Sequence, residues 1–239
     1  MDLGISVICA TNKVGLTENI LENYLSQDYA LKELIIILNY DDANLDNLLN
    51  LVFTHENIKL YHLPSKNTLG ECLNFSIKKC RYPTIAKFDD DDYYGPLYLT
   101  DSVKCLSLDN VGIVGKATTF VYFVEEQIMG LKNSNKENKY VNRVAGSTLM
   151  FKKNLFEKIQ FKDISLGEDI HFCNDCLKIG YKIYSTNRHH YVYIRNNKNK
   201  HTWKMDNQYI LGQCTNLTKV QDYKEYLYNS VNNSKKTYL

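Results

Sequence analysis

Residues 84–96 read TIAKFDDDDYYGP. A short apolar stretch of this kind is typical of a buried strand, and here it runs directly into four consecutive aspartates, residues 89–92. Two carboxylates about 4 Å apart repel each other by roughly 4 kcal/mol at an intermediate effective dielectric. The run therefore predicts that something cationic lies among these side chains.

The sequence before this stretch alternates between two patterns. Continuous apolar runs predict strands buried on both faces of a parallel sheet, and apolar residues at helical spacing predict helices between them. Strands are predicted over 5–11, 34–38, 57–63 and 84–88, and helices over 17–28, 43–55 and 68–80. This alternation predicts an α/β fold with a mostly parallel sheet, helices on both faces, and a ligand at the carboxyl ends of the strands.

The pattern changes after the aspartates. Strands are predicted within 111–131 and over 145–153, with a polar loop at 133–139 between them. A helix is predicted to begin near Glu168 and to end at Gly180, and a strand follows it. We expect one domain over residues 1–204 and a helical, peripheral tail over residues 205–239.

The composition narrows the class of protein. The chain has 239 residues, a net charge of +2 and seven cysteines, and its pI is near 8.0, a balance that does not indicate a nucleic-acid partner. An odd number of cysteines without a repeating spacing is typical of a reducing compartment, so a cytoplasmic location is expected. No apolar run approaches the roughly 20 residues needed to cross a bilayer.

Three interpretations of the aspartates can be compared. A solvated charge run is disfavoured because the run ends a buried strand. A calcium loop would use Asp90, Asp92, Gly95 and Asp101, but its fifth position is Tyr94 and a strand precedes it. A divalent cation held by one or two carboxylates and by substrate phosphates suits the position. In an extended strand end, residues 89 and 91 would face one side, and residues 90 and 92 the other.

Three motifs in order resemble the family 2 nucleotide-sugar glycosyltransferases of the GT-A type. They are ISVICATNK at 5–13, FDDDDYYGP at 88–96 and LGEDIHF at 166–172. The resemblance covers roughly residues 4–203 and implies a GT-A, Rossmann-like fold. It implies that Asp91 binds Mn²⁺ or Mg²⁺ bridging the donor diphosphate, and that Asp169, paired with Glu168, is the catalytic base. The implied donor-binding residues are Thr11, Asn12, Asp89, Asp90, Gly146 and Ser147.

Two positions depart from the family pattern. The second strand ends in LNYDD, so either Asn39 or Asp41 is expected to read the base. The third helix contains ECLN, which keeps Asn74 as a donor-binding candidate and loses the usual arginine.

Asp169 also has a physical argument beside the resemblance. SLGED reads as a loop that meets a helix N-terminus, where the helix dipole and the unpaired amides favour an ionised carboxylate. An acid at this position can equally be a simple helix cap. The acidic strand end upstream favours the catalytic interpretation.

The segment 195–203, RNNKNKHTW, is expected to form a lid over the donor diphosphate. We expect Arg195 and Trp203 to contact the donor. His201, or His189 or His190 if the strand register differs, is expected to be a second metal ligand, because imidazole can complete a site that carboxylate and phosphate leave open. The bases and aromatics of this region could alternatively bind single-stranded nucleic acid, and HFCNDC at 171–176 could hold zinc. A strand and loop, and a helix packed in the core, are the simpler interpretations.

The expected function is metal-dependent transfer of a sugar, with inversion, from a nucleotide sugar, most simply a UDP-sugar, to an acceptor hydroxyl. The rivals are a sugar nucleotidyltransferase and a degenerate GT-A fold that serves as a scaffold. The first needs a Gly-rich, Arg-containing loop after the first strand, which ATNKVGLTEN does not supply. The second would lack the metal and base carboxylates, and both are present.

Overall fold

The computed structural model describes residues 3–41, 54–196 and 205–236. Most of the helix predicted over 43–55 lies outside these residues. The strands are β1 Ile5–Thr11, β2 Lys32–Leu38, β3 Ile58–His62, β4 Thr84–Lys87, β5 Tyr93–Tyr94, β6 Val111–Gly115, β7 Thr119–Phe123, β8 Ile128–Lys132, β9 Lys139–Val141, β10 Met150–Lys152, β11 Lys182–Ser185, β12 Tyr191–Arg195 and β13 Cys214–Lys219. The helices are α1 Thr17–Leu25, α2 Leu69–Lys79, α3 Tyr98–Lys104, α4 Glu168–Lys178, α5 Asn207–Gly212 and α6 Tyr223–Lys236.

The larger sheet has eight strands among the described residues, in the order β3-β2-β1-β4-β10-β6-β11-β9. Strands β3, β2, β1 and β4 are parallel to one another, and β11 is parallel to β6. Strands β10 and β9 run antiparallel to the strands beside them. Helices cover both faces. On one side Ile20 and Tyr98 pack against Val7, and on the other Leu73 and Phe172 share a core with Ile8. The predicted mostly parallel α/β sheet is confirmed.

Local sequence explains where the helices begin and end. Thr68 and Glu71 form a capping box at the start of α2, each satisfying a backbone amide of the other. Gly167 precedes α4 with a φ of +84°, and Gly180 follows it with a φ of +89°, a region that glycine enters without steric cost. The predicted helix from Glu168 to Gly180 is therefore confirmed to within two residues.

The stretch predicted as a strand over 145–153 is only partly one. Gly146–Thr148 forms a 3-10 turn, and the strand β10 begins at Met150. This turn lies next to β4, to which β10 pairs.

A second, five-stranded sheet has the order β13-β8-β7-β12-β5 within the described part of the chain. The C-terminal tail is not purely helical as predicted, because β13 pairs with β8 in this sheet. Val220 and Leu227 from the tail are buried against Phe120 and Tyr122. The division at residue 204 stays a prediction.

Candidate active site

A cleft of about 1420 Å³ opens at the carboxyl ends of β1 and β4. Parallel strands end at the same edge of a sheet, which is why residues far apart in sequence meet there. Most of the predicted site residues line the cleft: Thr11, Asn12, Asn39, Asp89, Asp90, Asp91, Gly146, Ser147, Glu168 and Asp169.

The cation predicted among the aspartates is, in part, a lysine of the chain itself. Lys13 Nζ lies 3.0 Å from Asp90 Oδ1 and 2.8 Å from Asp91 Oδ2. The Thr11 hydroxyl donates to Asp90 Oδ2 at 2.5 Å. Burial alone would lower the pKa of Lys13, but the Asp91 and Asp90 carboxylates raise it on balance. The ammonium therefore stays charged between the two carboxylates.

A second lysine neutralises Asp89. Lys87 is 3% exposed at the end of β4 and forms an ion pair with the Asp89 carboxylate. Burial works against its charge, yet Asp89 and Glu168 together hold the pKa of Lys87 above its usual range. Asp89, Asp90 and Asp91 are thus each accompanied by a buried or half-buried ammonium.

The alternation expected for residues 89–92 is wrong, because β4 ends at Lys87 and the aspartates lie in a turn. Asn19 Nδ2 donates to the carbonyl of Asp90 at 2.7 Å and Asn23 Nδ2 to that of Asp92 at 2.9 Å. As a result Asp90 and Asp91 meet the same lysine.

Asp92 is directed away from the cleft. It is 1% exposed and accepts hydrogen bonds from the Tyr191 hydroxyl at 2.6 Å and from the Ile194 amide at 3.1 Å. Its environment excludes the calcium-loop arrangement. Asp101, the last position of that rejected alternative, lies on α3, 3.4 Å from His190.

Tyr94, which the sequence analysis did not single out for the site, connects two parts of it. Its hydroxyl accepts from the Asp89 amide at 2.7 Å and donates to the Ser147 carbonyl at 2.7 Å. Its ring stacks on Phe88 with centroids 3.7 Å apart. The YYGP that follows the aspartates therefore fixes the aspartate turn against the Gly146–Thr148 turn.

Asp169 lies in the first turn of α4, half-buried and directly against Gly146. A Cβ on residue 146 would overlap the Asp169 carboxylate, so glycine is needed for this approach. The helix N-terminus stabilises negative charge here. An ionised carboxylate open to the cleft can accept a proton from a hydroxyl bound beside it.

Glu168 has a different environment from Asp169. It is 5% exposed, and burial raises its pKa to about 7, although the charge of Lys87 acts in the opposite direction. Burial therefore favours the protonated form of Glu168 as the pH approaches neutrality.

A family model described as "Glycosyl transferase family 2" matches residues 6–174. The chain belongs to this family. It is 33% identical over 162 residues to the O-antigen biosynthesis glycosyltransferase WbnJ of Escherichia coli, an alignment covering 64% of this chain and 63% of WbnJ.

Two solved structures share the fold of this family 2 chain. The mannosyltransferase PcManGT from Pyrobaculum calidifontis, in complex with GDP-Man and Mn²⁺, matches with a TM-score of 0.64 and 18% identity over 85% of this chain and 60% of that one. S. aureus TarS 1–349, in complex with UDP-GlcNAc, matches with a TM-score of 0.65 and 16% identity over 83% and 60%. The fold is GT-A, and the chain spans 60–63% of the length of these relatives.

Three residues expected to bind the donor in this glycosyl transferase family 2 chain are engaged elsewhere. The Asn74 side chain is buried and exchanges two hydrogen bonds with the Phe161 backbone. Asp41 is exposed and bonded to Ser65. Arg195 is 3% exposed and donates to the Tyr193 hydroxyl, the Met205 carbonyl and the Asn207 side chain. None of the three lines the cleft, whereas Asn39 does.

Two other expectations concern metals. His201 and Trp203, with most of the proposed lid, lie outside the described residues. Cys173 and Cys176 are buried in the core while His171 is exposed, so the zinc interpretation is wrong and the helix-in-core interpretation is confirmed. Within residues 3–41, 54–196 and 205–236, no group of three or more His, Cys, Asp or Glu side chains could hold a metal ion.

The donor set nevertheless fits a divalent cation of the Mn²⁺ or Mg²⁺ type in this family 2 cleft. Asp89, Asp90 and Asp91 line the cleft and outnumber the two ammonium groups paired with them, so a net negative charge remains that favours a cation. Hard cations bind with one or two carboxylates when substrate phosphates supply the remaining ligands.

The structure also brings together a set of cleft residues that sequence reasoning missed. Lys132, Lys136, Lys139 and Arg143 line the side of the cleft that precedes the Gly146 turn. The polar loop at 133–139 was predicted, but its contribution to the cleft depends on where β8 and β9 end. No helix of the described chain is long and apolar enough to cross a membrane.

Proposed function

We propose that this chain transfers a sugar from a nucleotide-sugar donor to the hydroxyl of a glycan, protein or other acceptor, with inversion at the anomeric carbon. The observation that carries the proposal is that Asp91 and Asp169 line one cleft at the carboxyl edge of the sheet, in a chain that belongs to glycosyl transferase family 2.

The proposed reaction is a single displacement. The acceptor hydroxyl oxygen attacks the anomeric carbon, the bond from that carbon to the β-phosphate oxygen breaks, and the nucleoside diphosphate leaves with the electron pair. Asp169 takes the hydroxyl proton. A single attack on the face opposite the leaving group inverts the anomeric configuration.

The chain's own residues prepare this step. Asp169 is oriented by the first turn of α4 and by its contact with Gly146. Asp91, with Asp89 beside it, would hold Mn²⁺ or Mg²⁺, which when bound neutralises the charge of the diphosphate. Thr11, Asn12 and Asn39 at the ends of β1 and β2 are proposed to contact the nucleoside.

We infer a uridine nucleotide from the family resemblance. The structure of TarS contains UDP-GlcNAc and that of PcManGT contains GDP-Man, so the two nucleotides are the ones to compare. The relative WbnJ, named for O-antigen biosynthesis, supports a surface polysaccharide as acceptor. A cytoplasmic location is proposed because the cysteines of the described residues are free thiols.

The first experiment is a thermal-shift and titration screen of UDP-, GDP- and dTDP-sugars with and without Mn²⁺ or Mg²⁺. We expect a UDP-sugar to stabilise the protein, and the metal to increase that effect. Asp91→Asn should weaken metal-dependent donor binding at least tenfold, because it removes a ligand that acts in the ground state and the transition state alike.

Asp109→Asn is the matched control, since the Asp109 side chain is 93% exposed and lies outside the cleft. Unchanged metal-dependent binding in Asp91→Asn would contradict the metal assignment. A product that keeps the donor's anomeric configuration would contradict inversion, and failure of every nucleotide sugar to bind would contradict the function.

A further inference from the structure

One side of the cleft carries an excess of positive charge. Lys132 ends β8, Lys136 lies in the loop after it, Lys139 begins β9, and Arg143 lies three residues before Gly146. All four line the cleft. Together they are called the cationic wall.

The positive charge of the wall is not offset by acids of its own segment. Glu137 is the acid within residues 132–143, and it is turned to Arg188, accepting from the Arg188 amide at 2.6 Å and lying 3.7 Å from its guanidinium. Lys136, Lys139 and Arg143 are exposed and form no ion pair with the described residues. By contrast, Lys13 and Lys87 in the same cleft are both paired with aspartates.

Lys139 lies too far along the sheet from the aspartate turn to hold the donor diphosphate. The aspartate turn follows β4, and Lys139 is on β9, with β10, β6 and β11 between them. Four strand spacings of about 4.8 Å make roughly 19 Å. Lys139 pairs with Ser185 at the carboxyl end of β11, so it is at the same edge as the aspartates but remote from them.

The wall is continuous with the catalytic base instead. Arg143 leads into the Gly146–Thr148 turn, and Gly146 contacts Asp169. A substrate that places its hydroxyl at Asp169 and extends away from the donor would lie along the cationic wall. In the proposed reaction that substrate is the acceptor.

We propose that the acceptor is anionic and that Lys136, Lys139 and Arg143 bind a phosphate group of it. The inference rests on the proposed function and specifies the acceptor class for the same site. Lysine ammonium and arginine guanidinium groups are the usual protein partners of phosphate, since they form charge-assisted hydrogen bonds with it. The phosphate could belong to a sugar phosphate or to the diphosphate headgroup of a lipid-linked glycan.

The test compares matched ligands on the full chain, with the donor site filled by UDP and Mn²⁺. A panel of sugars is titrated as neutral methyl glycosides and as the corresponding sugar 1-phosphates, and a further arm uses the same sugars linked by a diphosphate to a short isoprenoid in detergent. We expect a phosphate-bearing form to bind at least tenfold more tightly than its neutral counterpart. The advantage should shrink as salt is raised.

The variant K136A/K139A/R143A should lose that advantage while its affinity for UDP and Mn²⁺ stays within twofold of wild type. The control K66A/K78A/K152A removes the same charge from exposed positions outside the cleft and should change neither. Tighter binding of the sugar 1-phosphates than of the methyl glycosides would mean that phosphate itself is recognised. Tighter binding of the isoprenoid-linked sugars alone would identify the lipid headgroup.

The proposal is overturned if neutral and phosphate forms bind equally well, or if the triple variant keeps the full advantage. Its failure can be told apart from failure of the proposed function, which would appear as no binding of UDP or any nucleotide sugar by folded protein.

Discussion

The two sides of the cleft differ in how their charged side chains are paired. In the aspartate turn, Lys13 is 17% exposed and held 2.8–3.0 Å from two carboxylates. In the cationic wall, Lys136, Lys139 and Arg143 are exposed and without ion pairs among the described residues. The charges of the first arrangement are largely paired within the protein, which preorganises it, whereas the three side chains of the second have no ion-pair partner among the described residues. The comparison indicates that one cleft is built for two different partners.

The largest effect is expected where the two sides meet, at Asp169. Asp169→Asn should lower kcat by about 10³-fold, because a general base contributes roughly 10²–10⁴-fold, while donor affinity stays near wild type. Steady-state kinetics and donor titration measure the two quantities separately. Transfer at the wild-type rate would mean that another group accepts the proton.

A substitution at Glu168 tests whether burial destabilises the ionised carboxyl on the aspartate side of the cleft. Its pKa is raised from 4.5 to about 7 by burial, so ionisation favours the unfolded state as pH rises from about 4.5, and the loss of stability is complete above about 7. Glu168→Gln, which mimics the protonated form, should match wild type near pH 4 and be more stable by about 3 kcal/mol at pH 8. Denaturant unfolding at both pH values tests this.

Glu157→Gln, at an exposed position, is the control for that measurement and should leave the pH dependence of unfolding as in wild type. If the difference in unfolding free energy between Glu168→Gln and wild type were the same at both pH values, the raised pKa of Glu168 would be contradicted. Lys87 would then stabilise the ionised carboxyl enough to offset its burial.

Gly146→Ala tests the geometry at the meeting point. The added Cβ would overlap the Asp169 carboxylate, and displacing a catalytic group by about 1 Å can cost about 10²-fold in rate. We therefore expect kcat to fall about 10²-fold with donor affinity little changed. Gly212→Ala, where a Cβ meets nothing within 4 Å, should have wild-type kinetics.

The smallest effects compare the two sides directly. Lys13→Met leaves Asp90 and Asp91 without their shared ammonium and should destabilise the fold by about 1–3 kcal/mol. Lys139→Met removes an exposed charge and should change stability by less than about 0.5 kcal/mol. Urea unfolding measures both variants. Equal losses of unfolding free energy in Lys13→Met and Lys139→Met would contradict the difference between the two sides of the cleft.

Asn74 and Arg195, both expected to bind the donor, show why residue type alone does not assign a role. Asn74 occupies the expected helix position, but the helix presents it to the Phe161 backbone. Arg195 is the last residue of β12, and its guanidinium donates to Met205, Tyr193 and Asn207. Both are polar groups that burial forces to find partners, and those partners are distant or irregular in sequence.

The sequence by itself determined the β-α alternation, the edge of the sheet that carries the site, and the family, because apolar periodicity and the three motifs are local signals. It also located Asp91 shortly after a strand and Asp169 at the beginning of a helix. Only the tertiary structure decided that Lys13 joins Asp90 to Asp91, that Gly146 makes room for Asp169, and that residues 132–143 form a cationic wall. Each of these depends on contacts between segments that strand order brings together, and strand order is a property of the whole sheet rather than of any one stretch.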